Sequence, residues 1–218
     1  MDRKQEKLKI IKPKFKNGIE SISIVVTDIE NEDSFKDGYI SDCKIENQVA
    51  KHVSFEGIIF KNVEFKTVAL NLLELTDVRF ENCDLSNANF SSAIIHRTEF
   101  INCKLMGLNL SDATLQNISI EQCNGKFALL SYAHMKKVVF DECIFESSNF
   151  QNSHFDKVQF RKCNFKLSQM SGTSLSGVDM SNSNVEGLGI QLEDLRGAIV
   201  SPMQAVDFSK LLGLVINT

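Results

Sequence analysis

Cysteine and histidine are the residues of this chain whose side chains could ligate a metal ion, form disulfides or act as nucleophiles. The six cysteines follow one another at spacings of 40, 20, 20, 20 and 20 residues, at Cys43, Cys83, Cys103, Cys123, Cys143 and Cys163. Zinc and redox centres use close pairs such as C-x-x-C, and the sequence contains no such pair. The even spacing instead predicts one recurring structural position that holds a small, reduced, inward-facing side chain.

The histidines are His52, His96, His134 and His154, and the sequence predicts that they are surface imidazoles. His134 and His154 are twenty residues apart, but no carboxylate or third histidine nearby shares their repeat position. The sequence has no G-x-S-x-G motif, no glycine-rich phosphate loop and no paired acids that would share a cleft. We therefore predict that the chain is not an enzyme and that it holds neither a metal nor a cofactor.

A five-residue period explains the spacing of the cysteines. Of the 33 positions that are multiples of five between Phe35 and Leu195, all but Ala50 and Gly125 carry Phe, Leu, Ile, Val or Met. This period is neither that of an amphipathic helix nor that of a strand, so it indicates a repeat architecture. Residues twenty apart also resemble one another, which predicts that four pentapeptides form one square turn of a superhelix.

The repeat predicts an all-β solenoid whose turns stack at the strand spacing of about 4.8 Å. The large residue at each multiple of five, and the small residue two positions before it, would fill the axis. We predict three parts: residues 1–34 as an N-terminal basic arm and capping strand, residues 35–200 as about eight coils, and residues 201–218 as a C-terminal capping helix and dimerisation tail. Stacked repeats need such caps at both ends.

Two segments depart from the pattern and predict local irregularity. Gly125 occupies a position for a large residue while Phe127 follows two residues later, so we expect a bulged corner or a Phe127 ring folded back over the gap. The segment around Ala50 predicts an irregular early coil. Residues 21–30 alternate as in a strand that could cover the first coil.

The two ends differ in character from the repeat. Residues 1–16 carry seven Lys or Arg and two acids, which predicts a solvated arm; contact with nucleic acid is the alternative. At the other end, Ser201 and Pro202 are typical of a helix start and Gly213 of its end. Apolar residues of this segment predict a symmetric homodimer through the C-terminal end, formed by Met203, Val206, Leu211, Leu212, Leu214, Val215 and Ile216.

The charges bear on partners and location. The N-terminus is too charged for a signal peptide and no apolar run is long enough to span a membrane, so we expect a soluble, cytoplasmic protein without a membrane partner. The chain has a net charge of −4. Candidate partner-binding acids share one 20-residue column or lie beside it: Glu81, Glu121, Asp141 and Glu142. That column also contains Lys61 and Arg161, so ordinary surface charge is the alternative interpretation.

The segments ENCDLSNANFSSAIIHRTEF and ECIFESSNFQNSHFDKVQF resemble pentapeptide-repeat proteins, which implies a right-handed quadrilateral β-helix. The ending LRGAIVSPMQAVDFSKLLGLVI is similar to the C-terminal cap of the Qnr-type quinolone-resistance proteins, particularly the chromosomal ones of Gram-positive bacteria. That resemblance implies a dimeric rod that imitates duplex DNA, does not itself bind nucleic acid, and binds DNA gyrase or topoisomerase IV.

The same resemblance raises the question of drug protection. In the plasmid-borne Qnr-type proteins, protection from fluoroquinolones is associated with loops that project from the coils. The unbroken frame from Cys83 to Cys163 leaves no room for such loops. The resemblance therefore predicts binding to a topoisomerase that changes its activity or its fluoroquinolone sensitivity. The alternative is a pentapeptide-repeat scaffold for another protein partner.

Overall fold

Parallel strands in a 20-residue register form the body of the protein. A computed structural model describes residues 8–19 and 28–216. Residues twenty apart pair throughout, as Phe60 does with Phe80 and Phe80 with Phe100. Seven eight-residue strands form one parallel sheet, in the order β1 (Ser34–Ser41), β4 (Ser54–Lys61), β7 (Glu74–Glu81), β8 (Ile94–Ile101), β9 (Thr114–Glu121), β10 (His134–Asp141) and β11 (His154–Arg161).

The other sides of the solenoid are held by shorter pairings. In the early turns, three-residue strands pair as β2 (Lys44–Glu46) with β5 (Glu64–Lys66) and β3 (Val49–Lys51) with β6 (Ala69–Asn71). Later turns use single bridges in the same register, the last joining Asp179 and Ile199. The predicted fold, a right-handed quadrilateral β-helix with a C-terminal α-helix, is confirmed, and six turns separate β1 from β11.

Each corner of the square turn is a residue in the left-handed backbone region. Such a residue occurs at every fifth position from Glu32 to Gly177, two residues after each large inward residue. Asn, Asp and Gly adopt this conformation readily, whereas Thr67 and Leu72 adopt it at some cost in free energy. The ladder of backbone hydrogen bonds between turns holds them there, as the bond from the Leu72 amide to the Ser91 carbonyl shows.

Phenylalanine rings stack along the axis and fill it. The rings of Phe60 and Phe80 lie 4.8 Å apart and those of Phe80 and Phe100 lie 4.9 Å apart, both nearly parallel. The small position carries five buried cysteines, as predicted: Cys83, Cys103, Cys123, Cys143 and Cys163. The prediction was wrong for Cys43, which is exposed because it lies in the first turn, where the stack covers it from one side only.

The two irregularities that the sequence predicted do not occur. Bridges at Asn124 keep the 20-residue register through the segment, so there is no bulge beside Gly125. The ring of Phe145 fills the space above Gly125, and Phe127 points outward at a corner with 61% of its surface exposed. Ala50 is likewise buried within the regular strand β3, so the expected irregular coil is also a wrong prediction.

A short helix closes the C-terminal end. Helix α1 (Pro202–Ser209) begins with Ser201 and Gln204 in a reciprocal capping box, and a 3-10 turn (Lys210–Leu212) follows before the left-handed Gly213. A further 3-10 turn, Glu193–Leu195, precedes the helix. The helix is anchored by a polar group, because the buried Gln204 amide donates hydrogen bonds to the carbonyl oxygens of Met180 and Ser183 at 2.8 and 2.7 Å.

The N-terminal segment differs from its prediction. Residues 8–19, which we call the arm, lie against the seven-stranded sheet instead of extending into solvent, and Ile19 is buried. Most of the strand predicted over residues 21–30 lies outside the described residues, but Ile29 is buried in the core. Within the part of the chain that the structure describes, no helix has the length and apolarity needed to span a membrane.

Candidate partner-binding surfaces

The predicted acidic column exists as a geometric feature at one edge of the large sheet. Register pairs Asp141 with Glu121 on one side and with Arg161 on the other, and it pairs Glu81 with Lys61. Ile101 separates Glu81 from Glu121 within the column. The column therefore combines acids, bases and one apolar residue, and a partner-binding role for the acids stays a prediction.

Most of the predicted partner-binding acids are neutralised by a base in an adjacent turn. The Lys61 Nζ atom lies 3.2 Å from Glu81, the Arg161 Nη1 atom 3.4 Å from Asp141, and the Lys162 Nζ atom 2.7 Å from Glu142. The hydrogen bond from Lys162 is the main reason that the pKa of Glu142 lies below its ordinary value. Glu121 instead accepts a hydrogen bond of 2.6 Å from the Ser119 hydroxyl.

The same pairing extends over the rest of the rod as an ion-pair lattice, whose members are twenty residues apart. Lys126 and Glu146 lie 2.8 Å apart, and Lys166 and Glu186 lie 2.9 Å apart. Further members are Lys36–Glu56, Lys44–Glu64, Glu46–Lys66, Asp77–Arg97, Arg79–Glu99, Asp84–Lys104 and Lys136–Asp156. Exposed pairs contribute little to stability because solvent screens them, so their main effect is to reduce the negative field of the rod.

Backbone amides of the arm donate hydrogen bonds to side chains of the rod. The amides of Leu8, Ile11 and Lys14 donate to the side chains of Gln159, Asn117 and Asp77, respectively, at 3.1, 3.2 and 3.0 Å. Because Gln159 lies in the last long strand and Asp77 in the third, the arm runs antiparallel to the direction in which the turns stack.

Charged and aromatic contacts of the arm supplement these hydrogen bonds. The Lys12 ammonium lies 3.5 Å from the carboxylate of Glu99, whose side chain is only 4% exposed, and Lys16 lies 2.6 Å from Asp37. The Arg79 guanidinium lies 5.2 Å from the centre of the Phe15 ring. The Arg79 guanidinium also forms an ion pair with Glu99 at 2.8 Å, so the two rod residues that contact Lys12 and Phe15 of the arm also contact each other.

Sequence reasoning missed this strapped face, by which we mean the second halves of β1, β4 and β7–β11 where they lie beneath the arm. One signal could have found it. Of the seven residues at the outward-facing position that contains Glu99, three are large and apolar where a solvated face would carry polar ones: Tyr39, Ile59 and Val139. Ile59 and Val139 are indeed buried although they point away from the axis. Large apolar residues at outward positions predict that another segment covers them.

A groove remains between the arm and the sheet. Its volume is about 410 Å³, and its walls are formed by Leu8, Lys9, Ile10, Lys12, Ser119, Glu121, Val139, Asp141 and Arg161. Two of the four predicted partner-binding acids, Glu121 and Asp141, therefore lie at a groove beside the arm, whereas Glu81 and Glu142 do not line it.

A cluster of polar groups supports the arm at Asn117. Partial burial alone would raise the pKa of Asp77, but the Arg97 guanidinium and the Lys14 amide hold that pKa below its usual value. Burial, followed by the Arg97 charge, lowers the pKa of the neighbouring His96. Arg97 Nη1 and Asn117 Nδ2 lie 3.0 and 3.3 Å from the ring nitrogens of His96, so two hydrogen-bond donors face this ring.

Apolar side chains are exposed at the C-terminal end. All seven predicted dimerisation residues have at least 40% of their surface exposed, and Val215 has 97%. Beside them, an apolar groove of about 260 Å³ is lined by Leu192, Leu195, Ala198, Val200, Ala205, Phe208, Ser209 and Leu212. The structure contains a single chain, so their role in dimerisation stays a prediction.

The histidines do not assemble into a metal centre. The rings of His134 and His154 lie 6.0 Å apart in adjacent strands. Among residues 8–19 and 28–216, no group of three or more His, Cys, Asp or Glu side chains is arranged to hold a metal ion.

Comparison with protein families agrees with the repeat. A model of the pentapeptide repeat region matches residues 73–144, and a model of eight copies of the pentapeptide repeat matches residues 143–182. The two matches together span residues 73–182, about half of the chain. The chain is therefore a pentapeptide-repeat protein. Comparison with curated protein sequences gave no match.

Two solved structures are similar to the chain at low sequence identity. HetL from the cyanobacterium Nostoc sp. strain PCC 7120, a pentapeptide-repeat protein involved in heterocyst differentiation regulation, is 18% identical, with a TM-score of 0.43; the match covers 78% of this chain and 86% of HetL. A trypsin-treated variant of QnrB1, a plasmid-mediated fluoroquinolone resistance protein, is 19% identical with a TM-score of 0.43 and coverages of 90% and 100%.

Proposed function

We propose that the chain is a non-catalytic, protein-binding rod. The observation that carries this proposal is the distribution of side chains. Apolar side chains occupy the inward positions of successive turns, and the largest of them are fully buried. An enzyme needs a water-excluding site in which reactive groups converge. The chemically distinctive groups of this rod are instead spread over its outer faces, as regular columns, and over its apolar C-terminal end.

We further propose that two chains join through their C-terminal ends. Seven large apolar residues are exposed at that end, from Met203 in the helix to Ile216 in the tail, beside the exposed ion pair of Asp207 and Lys210. A two-fold interface places the same patch of both chains in contact, so one patch is enough to form a dimer. Two rods of the eight coils that the sequence predicts, joined end to end at about 4.8 Å per turn, would measure about 80 Å.

DNA gyrase or topoisomerase IV is the partner that we propose for this dimer, which would make it a cytoplasmic protein. The support comes from the resemblance of residues 195–216 to the C-terminal cap of Qnr-type proteins and from the regular rod. A dimer of about 80 Å matches roughly 24 base pairs of duplex DNA at about 3.4 Å per pair. The ion-pair lattice reduces the charge of the rod, so we expect it to imitate the duplex by shape more than by charge.

The test is a supercoiling assay with purified gyrase and relaxed plasmid, in the presence and absence of a fluoroquinolone. We expect the full chain at micromolar concentration to inhibit supercoiling, and not to protect the enzyme from the drug, because the frame from Cys83 to Cys163 carries no projecting loops. A double variant, Leu212→Asp with Val215→Asp, should lose inhibition together with dimerisation. Supercoiling that proceeds at an unchanged rate would contradict gyrase as the partner.

A second candidate function is that of a scaffold for a different protein. The ion-pair lattice favours it, because a surface whose acids are already paired attracts the DNA-binding site of an enzyme less strongly than bare acids would. An intact dimer that binds neither gyrase nor topoisomerase IV would favour this second function.

A further inference from the structure

The arm and the rod have matching periods. Donors on the arm occur at every third residue, Leu8, Ile11 and Lys14, and their acceptors lie in every second long strand, β11, β9 and β7. A polyproline II chain has three residues per turn and rises about 3.1 Å per residue, or about 9.3 Å per turn. Two strand spacings of the rod measure about 9.6 Å. An extended segment containing a proline, such as Pro13, therefore keeps its donors in register with the rod.

Side chains of the rod also select for a basic segment. Asp37, Asp77 and Glu99 face the arm, and the first and last of these form ion pairs with Lys16 and Lys12. Glu99 is nearly fully buried, so a lysine opposite it gains a less screened electrostatic interaction than a surface lysine would. Arg79 adds a place for an aromatic residue, which Phe15 occupies.

The arm is held by groups that any chain of the same pattern could use. Its three hydrogen bonds to the rod described above all end on rod side chains, and they use backbone amides that every residue other than proline possesses. The groove of about 410 Å³ beside Leu8 and Ile10 shows that the arm leaves part of the face unfilled near Glu121 and Asp141.

We propose that the strapped face is a docking track for an extended, lysine-rich, proline-containing peptide of a partner protein, and that residues 8–16 occupy this track in cis. A partner that carries such a segment displaces the arm and binds along the strapped face. This inference concerns a different surface from the C-terminal end and does not depend on a topoisomerase being the partner.

Fluorescence anisotropy tests this proposal with the full chain and a labelled synthetic peptide of the sequence LKIIKPKFKNG, which is that of residues 8–18. The tethered arm competes at a high effective concentration, so the wild-type chain should bind the peptide weakly. A variant with Lys12→Ala and Phe15→Ala releases that competition and should bind it about tenfold more tightly or better. Equal affinity of the two proteins would overturn the proposal.

Two controls separate recognition from simple charge attraction. A scrambled peptide of the same composition, with the proline moved to one end, should bind the released variant about tenfold more weakly, because its donors and lysines are out of register. Adding Asn117→Ala to the released variant should weaken binding of the native peptide, while circular dichroism shows an unchanged fold. Equal binding of the scrambled peptide would overturn the proposal.

A substitution in the peptide gives a readout that does not depend on protein folding. The peptide with Lys12→Glu places a carboxylate against the buried Glu99, and we expect it to lose about tenfold or more in affinity. The peptide with Lys9→Glu is the matched charge control, since Lys9 forms none of the ion pairs described above, and it should lose less. Equal losses from the two substitutions would contradict recognition by Glu99.

Discussion

The ring of Phe145 occupies the space beside Gly125 that a large side chain would need. A Cβ atom added at Gly125 would come within 2.7 Å of Phe145 Cδ1, far closer than ordinary van der Waals contact. Leu105 and Phe145 occupy the equivalent position in the turns before and after Gly125. A glycine and a large ring in adjacent turns therefore share the volume that two medium side chains would fill.

Restoring the repeat at this position should destabilise the protein. We expect Gly125→Leu to lower the free energy of unfolding by about 1 to 3 kcal/mol, because the added atoms overpack a filled site. Denaturant unfolding followed by circular dichroism measures the change. The double variant Gly125→Leu with Phe145→Leu should recover part of the loss, since the two sites are in contact. A single variant more stable than wild type would contradict this packing.

The thiols provide a second test of the turn geometry. With a thiol reagent, we expect one reactive group per native chain, Cys43, and all six in denaturant. Partial burial raises the pKa of the otherwise exposed Cys43 thiol, with a smaller contribution from Asp42, so its reaction should be slow at neutral pH and accelerate as the pH rises. Cys43→Ser should abolish the native reaction. Reaction of two or more thiols in the folded chain would contradict the stacking of the other five.

Periodicity predicted the solenoid because each inward position repeats its environment every five residues, and a hydrophobic side chain at each repeat leaves few alternatives. It failed at Gly125 because a pattern assigns volume to single positions, whereas the core shares volume between turns. It failed at Cys43 because an end turn has one neighbour instead of two. The missed arm shows a further limit: charge alone predicted a solvated segment, while the apolar Ile59 and Val139 that it covers lie far away in the sequence.

Docking of the arm should weaken in mild acid. The neutral ring of His96 can accept a hydrogen bond from Arg97 or from Asn117, whereas the imidazolium can accept none. Burial, and then Arg97, lower the pKa of His96 while Arg97 and Asn117 face its ring. His96 therefore binds a proton more readily once these contacts are broken. The contribution of His96 to docking of the arm is therefore complete above the ordinary histidine pKa of about 6.5, and it is lost as the pH falls from there towards the lowered pKa.

Hydrogen–deuterium exchange of residues 8–16 measures this effect, at about one pH unit above and below 6.5 and after correction for intrinsic rates. Protection should fall in acid for the wild type, because Asn117 then turns its oxygen towards the imidazolium and away from the Ile11 amide. His96→Gln should remove the pH dependence. Equal protection of the wild type at both pH values would refute the role of His96.

The C-terminal end should control the oligomeric state. Leu212→Asp with Val215→Asp places two charges in the apolar patch, and we expect monomers in light scattering where the wild type gives dimers. Val49→Asp is a matched control, because Val49 is also an exposed apolar residue, 77% accessible, but lies at the other end of the rod. It should remain dimeric. A wild-type chain that is monomeric at micromolar concentration would remove the proposed interface.

Direct binding to the purified type II topoisomerases tests the central proposal. In biolayer interferometry with immobilised gyrase or topoisomerase IV, the full chain should bind saturably at micromolar concentration or below. Linear duplex DNA should compete, and the monomeric double variant should bind more weakly. An absence of saturable binding to both enzymes, by a chain shown to be folded and dimeric, would contradict the proposal.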